Sequence, residues 1–234
     1  MWPTPAGYTE SVYDETPGVL FTVVTCMGRL AHLKESLPTF PKPCCVVDYS
    51  CPDLSGDWAE TQGAEVLRIT GEQHFHKTQA LNLGARRAIE MGADRLCFLD
   101  ADTLVRPDFE QYANQPFSWI AHPGNPALIG ILVTSTESFI KAGGYDEGYV
   151  GWGCEDLDLR LRLHLAGSVF RALPEGALAS IPHGDDLRTQ HYAIKNHWVS
   201  RAVNAIRMEK QIRALTGKGP ADLDETAKRL MRVT

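Results

Sequence analysis

The sequence lacks three features that would assign it to a simple class of protein. It has no C-x-x-C pair, which is the commonest zinc-binding spacing. It has no uninterrupted apolar run of membrane-spanning length. Its first 19 residues, MWPTPAGYTESVYDETPGV, have neither a basic start nor an apolar stretch of signal-peptide length. These absences predict a soluble, cytoplasmic protein with no membrane span. Several of the six cysteines lie inside apolar, strand-like runs where a small hydrophobic residue would serve equally well, so we expect them to be reduced.

An excess of positive charge is also missing. Lys plus Arg number 23 against 29 Asp plus Glu, which gives a formal net charge of -6. This balance argues against a general nucleic-acid binder held by phosphate contacts alone. Any anionic ligand must therefore be met by local contacts and not by the overall charge of the chain.

The length and pattern predict a single domain with extensions. The chain has 234 residues and 44% apolar content, enough for one core but not for two full domains. We predict an irregular lead-in at 1–18, rich in proline and glycine, the domain at 19–185, and a helical extension packed on it at 186–234.

The first half of the domain alternates between two kinds of segment. Four short apolar runs, FTVVT, CCVVD, AEVLRI and RLCFLD, read as strands, and each of the first three is followed by a segment of helical spacing or composition. This pattern predicts an α/β fold with a mostly parallel central sheet flanked by helices. Thr25, Asp48, Asp100 and Asp102 fall at carboxyl ends of these strands, where parallel sheets bind ligands.

The second half predicts fewer elements. The stretch ALIGILVTS at 127–135 reads as a strand and EDLDLRLRLHLAG at 155–167 as an apolar helix. A long helical segment is predicted at 191–217, followed by a short one before the end of the chain.

The stretch FLDADTL, with Asp100 and Asp102 one residue apart, has three interpretations. Aspartates at a strand-to-loop turn can simply bond their own backbone. The string D-x-D-x-T also begins the chemistry of haloacid dehalogenase phosphatases, although there it follows the first strand; HGDDLRT at 183–189 could then mimic their later acidic motif. The third interpretation is the D-x-D of sugar-nucleotide glycosyltransferases, whose carboxylates hold a divalent cation at the leaving diphosphate.

A second motif, GYVGWGCEDLDLRLR at 148–162, favours the third interpretation. With these two motifs the chain resembles the GT-A glycosyltransferases, in particular the inverting family 2 enzymes and the carboxyl part of the β-1,4-galactosyltransferases with their G-W-G-x-E-D. The motifs come in that family's order and at comparable spacing. The resemblance covers about residues 20–185 and implies a GT-A fold.

The resemblance also implies roles in donor binding. TCMGRLAHLKESL matches the family's opening segment, in which Arg29 would lie near the nucleotide, and VVDYSCPD places Asp48 as the residue that binds the base. In FHKTQALNLG, Phe75 and Lys77 would approach uridine and phosphate. The predicted donor-binding residues are Thr25, Arg29, Asp48, Phe75, Lys77, Asp100, Asp102 and Trp152.

The catalytic roles implied by the resemblance centre on the second motif. Asp156 would be the base that removes the proton of the acceptor hydroxyl. Glu155 would help to hold the acceptor, and Trp152 would offer an aromatic face to a sugar or close over the donor. Without the glycines and tryptophan before them, these acids could equally be first-turn residues favoured by the helix dipole.

The implied metal site combines distant residues. The family takes a histidine ligand from a late strand, and GALASIPHGDD places His183 at the corresponding position. The cation would be held by Asp102 and His183, with Asp100 nearer the ribose or a metal-bound water. Mixed carboxylate and imidazole ligands favour Mn²⁺, with Mg²⁺ as the alternative.

Departures from the family pattern leave the sugar and the acceptor open. Cys154 stands where the galactosyltransferases usually have glycine, and Leu157 replaces one of their acids. Cys154 is interpreted as an inert small filler, with a partly ionised thiol at a helix start as the alternative.

The basic residues at 201–218 usually mean a solvated helix face, and the extension could also cover the site or form a homodimer contact. The acceptor could be a glycan, a small molecule or a modified macromolecule. The negative net charge argues against a nucleic-acid acceptor but does not exclude one.

The predicted function is thus metal-dependent, inverting transfer of a hexose or N-acetylhexosamine from a UDP-sugar to an acceptor hydroxyl. The alternatives are a Mg²⁺-dependent phosphatase and a non-catalytic module that binds a sugar or nucleotide.

Overall fold

The computed structural model describes residues 18–113 and 115–231, so the lead-in predicted at 1–18 lies outside the described residues except for Gly18. The strands of the described part are β1 Leu20–Cys26, β2 Cys44–Tyr49, β3 Glu65–Ile69, β4 Arg95–Asp100, β5 Thr103–Val105, β6 Ser118–Ile120, β7 Leu132–Ser135, β8 Phe170–Ala172 and β9 Leu178–Ser180. The α-helices are α1 Leu30–Ser36, α2 Ser55–Thr61, α3 Lys77–Glu90, α4 Glu110–Ala113, α5 Thr136–Lys141, α6 Glu155–Leu165, α7 Asp185–Thr189, α8 His197–Thr216 and α9 Glu225–Leu230.

The central sheet has seven strands in the order β3-β2-β1-β4-β7-β6-β8. The strands from β3 to β4 run parallel, β7 is antiparallel to both of its neighbours, and β8 is parallel to β6. A small separate ladder pairs β5 with β9. The predicted α/β fold with a mostly parallel sheet and C-terminal helices is therefore confirmed.

The parallel strands are apolar because helices cover both faces of the sheet. All seven residues of β1 are buried, as expected for a central parallel strand. One apolar core includes Leu33 of α1 and Leu37, which directly follows α1, and the other includes Leu159 and Leu163 of α6. One face of α3 is buried against the sheet, and Gly84 lets this helix approach the sheet closely, since a Cβ there would lie 2.5 Å from Val23 Cγ1.

Two predicted elements begin later than expected. The helix predicted from 191 begins at His197, because the side chain of Asn196 accepts the backbone N–H groups of Trp198 and Val199 and so caps it. The strand predicted at 127–135 begins only at Leu132, because residues before it form a 3₁₀ turn, Pro126–Leu128. The strands β5, β6, β8 and β9 have three residues each, too few for a recognisable period.

The C-terminal helices pack against the element that carries the second motif. Leu161 of α6 lies in one apolar cluster with Ile212 of α8 and Ala227 of α9. On α8, Ser200 Oγ accepts the backbone N–H of Trp152 at 2.7 Å, and Asn204 Nδ2 donates to the carbonyl of Gly153 at 2.9 Å. The extension thus supports the Gly-Trp-Gly turn. Among the residues the structure describes, no helix is both long and apolar enough to cross a bilayer.

Candidate active site

A cavity of about 140 Å³ lies at the carboxyl ends of the parallel strands. Nine of the predicted site residues line it, although they come from segments far apart in the chain. They are Thr25, Arg29, Phe75, Lys77, Asp100, Asp102, Trp152, Asp156 and His183. The structure thus brings the two motifs together at one place, as a parallel sheet does with residues that follow different strands.

Two predicted residues are not among those that line this cavity. Both carboxylate oxygens of Asp48 accept backbone N–H groups, from Cys51 at 2.8 Å and Gly56 at 3.0 Å, so Asp48 organises the loop after β2. Glu155 is only 3% exposed, and its Oε1 lies 3.4 Å from Lys77 Nζ. Glu155 therefore contacts Lys77, which does line the cavity, and the acceptor-binding role of Glu155 stays a prediction.

Asp102 and His183 meet at the edge of the cavity. His183 Nε2 lies 2.7 Å from Asp102 Oδ2, and His183 Nδ1 lies 3.0 Å from the carbonyl oxygen of Gly184. A carbonyl oxygen can only accept, so Nδ1 carries the ring proton and a neutral imidazole would point the Nε2 lone pair at the carboxylate. Two acceptors this close repel each other, so the contact needs either a proton on Nε2 or, in place of that proton, a cation that binds both atoms and lies beside the pair.

This pair fits a divalent cation. An imidazole that donates its other N–H to a backbone carbonyl is the usual arrangement of a metal-bound histidine. Within the described ranges no cluster of three or more His, Cys, Asp or Glu side chains suits a metal ion, so the protein offers two ligands here. A cation held this way would take its remaining ligands from phosphate oxygens and water, as Mg²⁺ and similar ions do in nucleotide sites.

Lys77 lies at the centre of a carboxylate cluster. Its Nζ is 3.1 Å from Asp100 Oδ1 and 3.4 Å from Glu155 Oε1. Burial alone would lower the pKa of Lys77, but the nearby carboxylates of Asp100, Asp156 and Glu155 outweigh burial and raise it well above its usual value. Lys77 therefore stays charged and compensates several acids at once.

Asp156, at the start of α6, has the properties of a base. Burial, with the adjacent charge of Glu155, raises its pKa to about 7, and Lys77 opposes this shift. Its Oδ1 is buried without a hydrogen-bond partner. A carboxylate with an unused acceptor and a pKa near neutrality is suited to take a proton at physiological pH.

The backbone of the Gly-Trp-Gly turn explains its composition. Gly151 and Gly153 have φ of +82° and +101°, in the left-handed region that favours glycine. Cys154 continues the turn with φ of +74°, so here a residue with a Cβ adopts a conformation better suited to glycine. The Cys154 thiol is buried, and burial raises its pKa to about 11, which supports the interpretation of an inert filler.

Several lining residues were not predicted. Arg188, His191 and Tyr192 come from α7 and the loop after it and line the same cavity. The Arg188 guanidinium lies 5.0 Å from the centre of the Trp152 ring, so in this conformation a cation occupies a face of the indole. The basic and aromatic residues in HGDDLRTQHY, directly after His183, were the available signal.

Replacing Lys77 by methionine should destabilise the fold in a pH-dependent way. The variant leaves the buried carboxylate of Glu155 without its cation, which costs about 3–5 kcal/mol when a buried pair is broken. Lys77 also opposes the rise in the pKa of Asp156, so without Lys77 that pKa should rise further. Protonation of Asp156 then relieves part of the cost, and the loss in unfolding free energy should be larger at pH 8 than at pH 5. Urea unfolding at both pH values measures this, with Lys34→Met on exposed α1 surface as the control. An equal loss of unfolding free energy at both pH values would contradict the role of Lys77 as the cation that compensates the buried carboxylates.

Comparison with known proteins gives matches in the same region. A family described as the N-terminal domain of galactosyltransferase matches residues 120–184. β-1,4-Galactosyltransferase 4 of Mus musculus is 32% identical over 114 residues, 44% of this chain and 33% of that protein. β-1,4-Galactosyltransferase 6 of Homo sapiens is 33% identical over 133 residues, 50% of this chain and 34% of that protein. The chain spans about a third of the length of these curated relatives.

Solved structures match over most of the chain. One match is the mannosyltransferase PcManGT from Pyrobaculum calidifontis, solved with GDP-Man and Mn²⁺. The superposition covers 97% of this chain and 82% of PcManGT, with a TM-score of 0.60 and 16% sequence identity. A mutant of Drosophila β-1,4-galactosyltransferase 7, solved with manganese, UDP-Gal and xylobiose, covers 78% and 79% with a TM-score of 0.52 at 18% identity. At these identities the likeness concerns the fold.

Together, the sheet order and these matches define the class: the chain has the GT-A fold of glycosyltransferases. Within that class it is related, over the matched residues, to the β-1,4-galactosyltransferases, which confirms the family resemblance. The phosphatase alternative loses support, since Asp185 and Asp186 of the second acidic string are exposed and are not among the residues that line the cavity.

Proposed function

We propose that the protein is a metal-dependent inverting glycosyltransferase that moves a hexose or N-acetylhexosamine from a UDP-sugar to an acceptor hydroxyl. The observation that carries this proposal is the shared cavity, which is lined by the Asp102 and His183 pair and by Asp156. The Asp102 and His183 pair suits a diphosphate leaving group with its cation, and Asp156 suits the proton transfer from the acceptor. A single displacement between them inverts the anomeric centre.

The donor would be held by cations and aromatic rings. Arg29 is largely buried, and its Nη1 has no hydrogen-bond partner, so this donor is free for a phosphate oxygen. Phe75 packs edge-on against Tyr49 at 5.7 Å between ring centres, and its backbone N–H donates to the carbonyl of His191. Phe75 could thus present an ordered aromatic surface to a base.

Uridine is favoured as the base by the relationship to the galactosyltransferases, because a Drosophila member was solved with UDP-Gal. The Pyrobaculum mannosyltransferase was solved with GDP-Man, so a guanosine donor is the competing choice.

Asp102 and His183 would hold the divalent cation, which when bound neutralises charge that develops on the departing diphosphate. Mn²⁺ suits their mixed ligand set, and both solved relatives contain it. Asp100, paired with Lys77 at 3.1 Å, would lie beside this pair and orient the ribose or a water. Lys77 would keep the acidic cavity close to neutral before the donor binds.

Asp156 would accept the proton of the acceptor hydroxyl as its oxygen attacks the anomeric carbon. Proton transfer to a positioned base typically contributes about 10²–10⁴-fold to the rate. Glu155, by its contact with Lys77, would position the ammonium group of Lys77 next to Asp156. Trp152 would meet a sugar ring after Arg188 moves from its face.

The size of the cavity implies movement. At about 140 Å³ it is smaller than the roughly 300–1,000 Å³ of most ligand pockets, so binding of a whole nucleotide sugar requires side chains of the lining to shift.

A cytoplasmic location, a homodimer and the domain boundaries at 18/19 and 185/186 stay predictions.

The proposal is tested by thermal unfolding with nucleotides. UDP and Mn²⁺ together should raise the melting temperature by about 5 °C at saturating concentration, because a ligand that binds only the folded state stabilises it. UDP without metal should give a much smaller shift. GDP and AMP serve as controls for the base. No response to any nucleotide would refute the proposal, and a response to GDP alone would refute the choice of donor.

A further inference from the structure

A second, larger cavity lies along α6, beside the first. Its volume is about 640 Å³, and it is bounded by residues of α6, β6, β8 and α9. Three arginines and two histidines line it: Arg160, Arg171, Arg229, His122 and His164. No aspartate or glutamate occurs among its described lining residues. In a chain with a net charge of -6, this concentration of basic side chains needs a local explanation.

Arg160 is the buried member of this set. Arg160 is only 5% exposed and makes no ion pair in the part of the chain that the structure describes. Burial lowers its pKa, and the charge of Asp156, one helical turn away, opposes this shift only in part. One terminal nitrogen donates to the carbonyls of Ile129 and Ile131, while Nε has no hydrogen-bond partner. Ser168 Oγ, in the same lining, is likewise buried without a partner. A buried cation and a buried hydroxyl with unused hydrogen-bonding capacity favour an anionic ligand.

Two further arginines stand at the surface of the cavity. Arg171 and Arg229 are exposed, and neither belongs to an ion pair among the described residues. Arg171 stacks on Phe117, with 4.7 Å between its guanidinium carbon and the ring centre, so its position is partly fixed. Guanidinium groups match the geometry of phosphate and carboxylate oxygens, which they bind through paired hydrogen bonds.

The second cavity adjoins the candidate active site. Pro126 and Ile129 line both cavities, so only the segment that contains them separates the two. Asp156 lines the first cavity and Arg160 the second, and they stand one helical turn apart on α6. A molecule seated in the second cavity with its charged end near Arg160 would therefore bring a hydroxyl group to Asp156 by extending past the segment that contains Pro126 and Ile129.

We propose that the second cavity binds the acceptor, and that the acceptor carries a phosphate or carboxylate group. This inference rests on the proposed function, which it extends by assigning the chemical class of the acceptor. The charged group contacts Arg160, Arg171 and Arg229, and a hydroxyl elsewhere on the acceptor points to Asp156. The transferred sugar then joins an anionic molecule.

Calorimetry on the whole protein tests this, with saturating UDP and Mn²⁺ present to occupy the donor site. The probes are N-acetylglucosamine, N-acetylglucosamine 6-phosphate and glucuronic acid, so that the two charged sugars separate phosphate from carboxylate. At least one charged sugar should bind about tenfold more tightly than the neutral one. The double variant Arg171→Gln, Arg229→Gln should lose about tenfold in affinity for that sugar and keep its affinity for UDP. Arg213→Gln, on the exposed surface of α8, is the matched control.

The possible results distinguish a failure of the anionic-acceptor proposal from a failure of the glycosyltransferase proposal. Equal affinity for charged and neutral sugars, or unchanged affinity in the double variant, would overturn the anionic acceptor and leave the glycosyltransferase proposal standing. Absence of UDP binding to the unmodified protein would overturn the proposed function itself.

Discussion

Replacement of Asp156 by asparagine is expected to lower kcat/KM for sugar transfer by about 10²–10⁴-fold while UDP still binds in the presence of Mn²⁺. Asparagine keeps the size of the side chain but cannot accept the proton of the acceptor hydroxyl. The measurement is nucleotide release from UDP-galactose with an acceptor, beside UDP titration of the same preparation. Asp186→Asn, an exposed carboxylate on α7 that is not part of the cavity lining, is the control.

The pH profile sharpens this prediction. Because burial raises the pKa of Asp156 to about 7, activity of the unmodified protein should fall as the pH drops below about 7 and the base becomes protonated. Stability should change in the opposite sense, since a charged Asp156 costs stability above its folded-state pKa. The asparagine variant should therefore be at least as stable as the parent at pH 8. A variant that keeps its activity within tenfold would remove Asp156 from the role of base.

Changes to the proposed metal ligands should have the next largest effect. Asp102→Asn and His183→Gln are each expected to weaken Mn²⁺-dependent binding of UDP on the order of 100-fold, because each removes one of two protein ligands. UDP binding without metal should change little. Titration of UDP at fixed Mn²⁺ measures the effect.

An alternative role for the same contact predicts a different result. If the 2.7 Å contact between Asp102 and His183 only joined two loops, both variants would lower the melting temperature equally with and without metal. His74→Gln, an exposed histidine outside the cavity lining, controls for loss of an imidazole. Retention of the full metal response by both variants would contradict the proposed site.

Most of the sheet and much of the site could be predicted, because the site residues directly follow strands that the sequence marks clearly as apolar runs. Buried parallel strands leave continuous apolar runs, and polar residues directly after them must meet at one edge of the sheet. This is why Thr25, Asp100 and Asp102 could be placed together before any coordinates. The Gly-Trp-Gly turn left a compositional trace because its backbone needs positive φ at both glycines.

The remaining features depend on tertiary contacts that leave no local signal. Glu155 is predicted to hold the acceptor, and its additional contact with Lys77 could not be predicted, because it depends on the first residues of α6 and α3 meeting in the folded protein. Asp48 satisfies backbone N–H groups of its own loop, a role that any aspartate after a strand can take. Arg160 sits within an apolar helix, and only packing decides that its guanidinium is buried and makes no ion pair among the described residues, with Asp156 as a carboxylate that acts on its charge from one turn away.

The central claim is that Asp102 and His183 hold a cation beside a bound diphosphate, with Asp156 in the same cavity. Anomalous diffraction from crystals grown with MnCl₂ and UDP tests it most directly. The account predicts a manganese peak bonded to Asp102 Oδ2, His183 Nε2 and the diphosphate of UDP. UDP bound elsewhere, or a manganese peak remote from these two side chains, would contradict it.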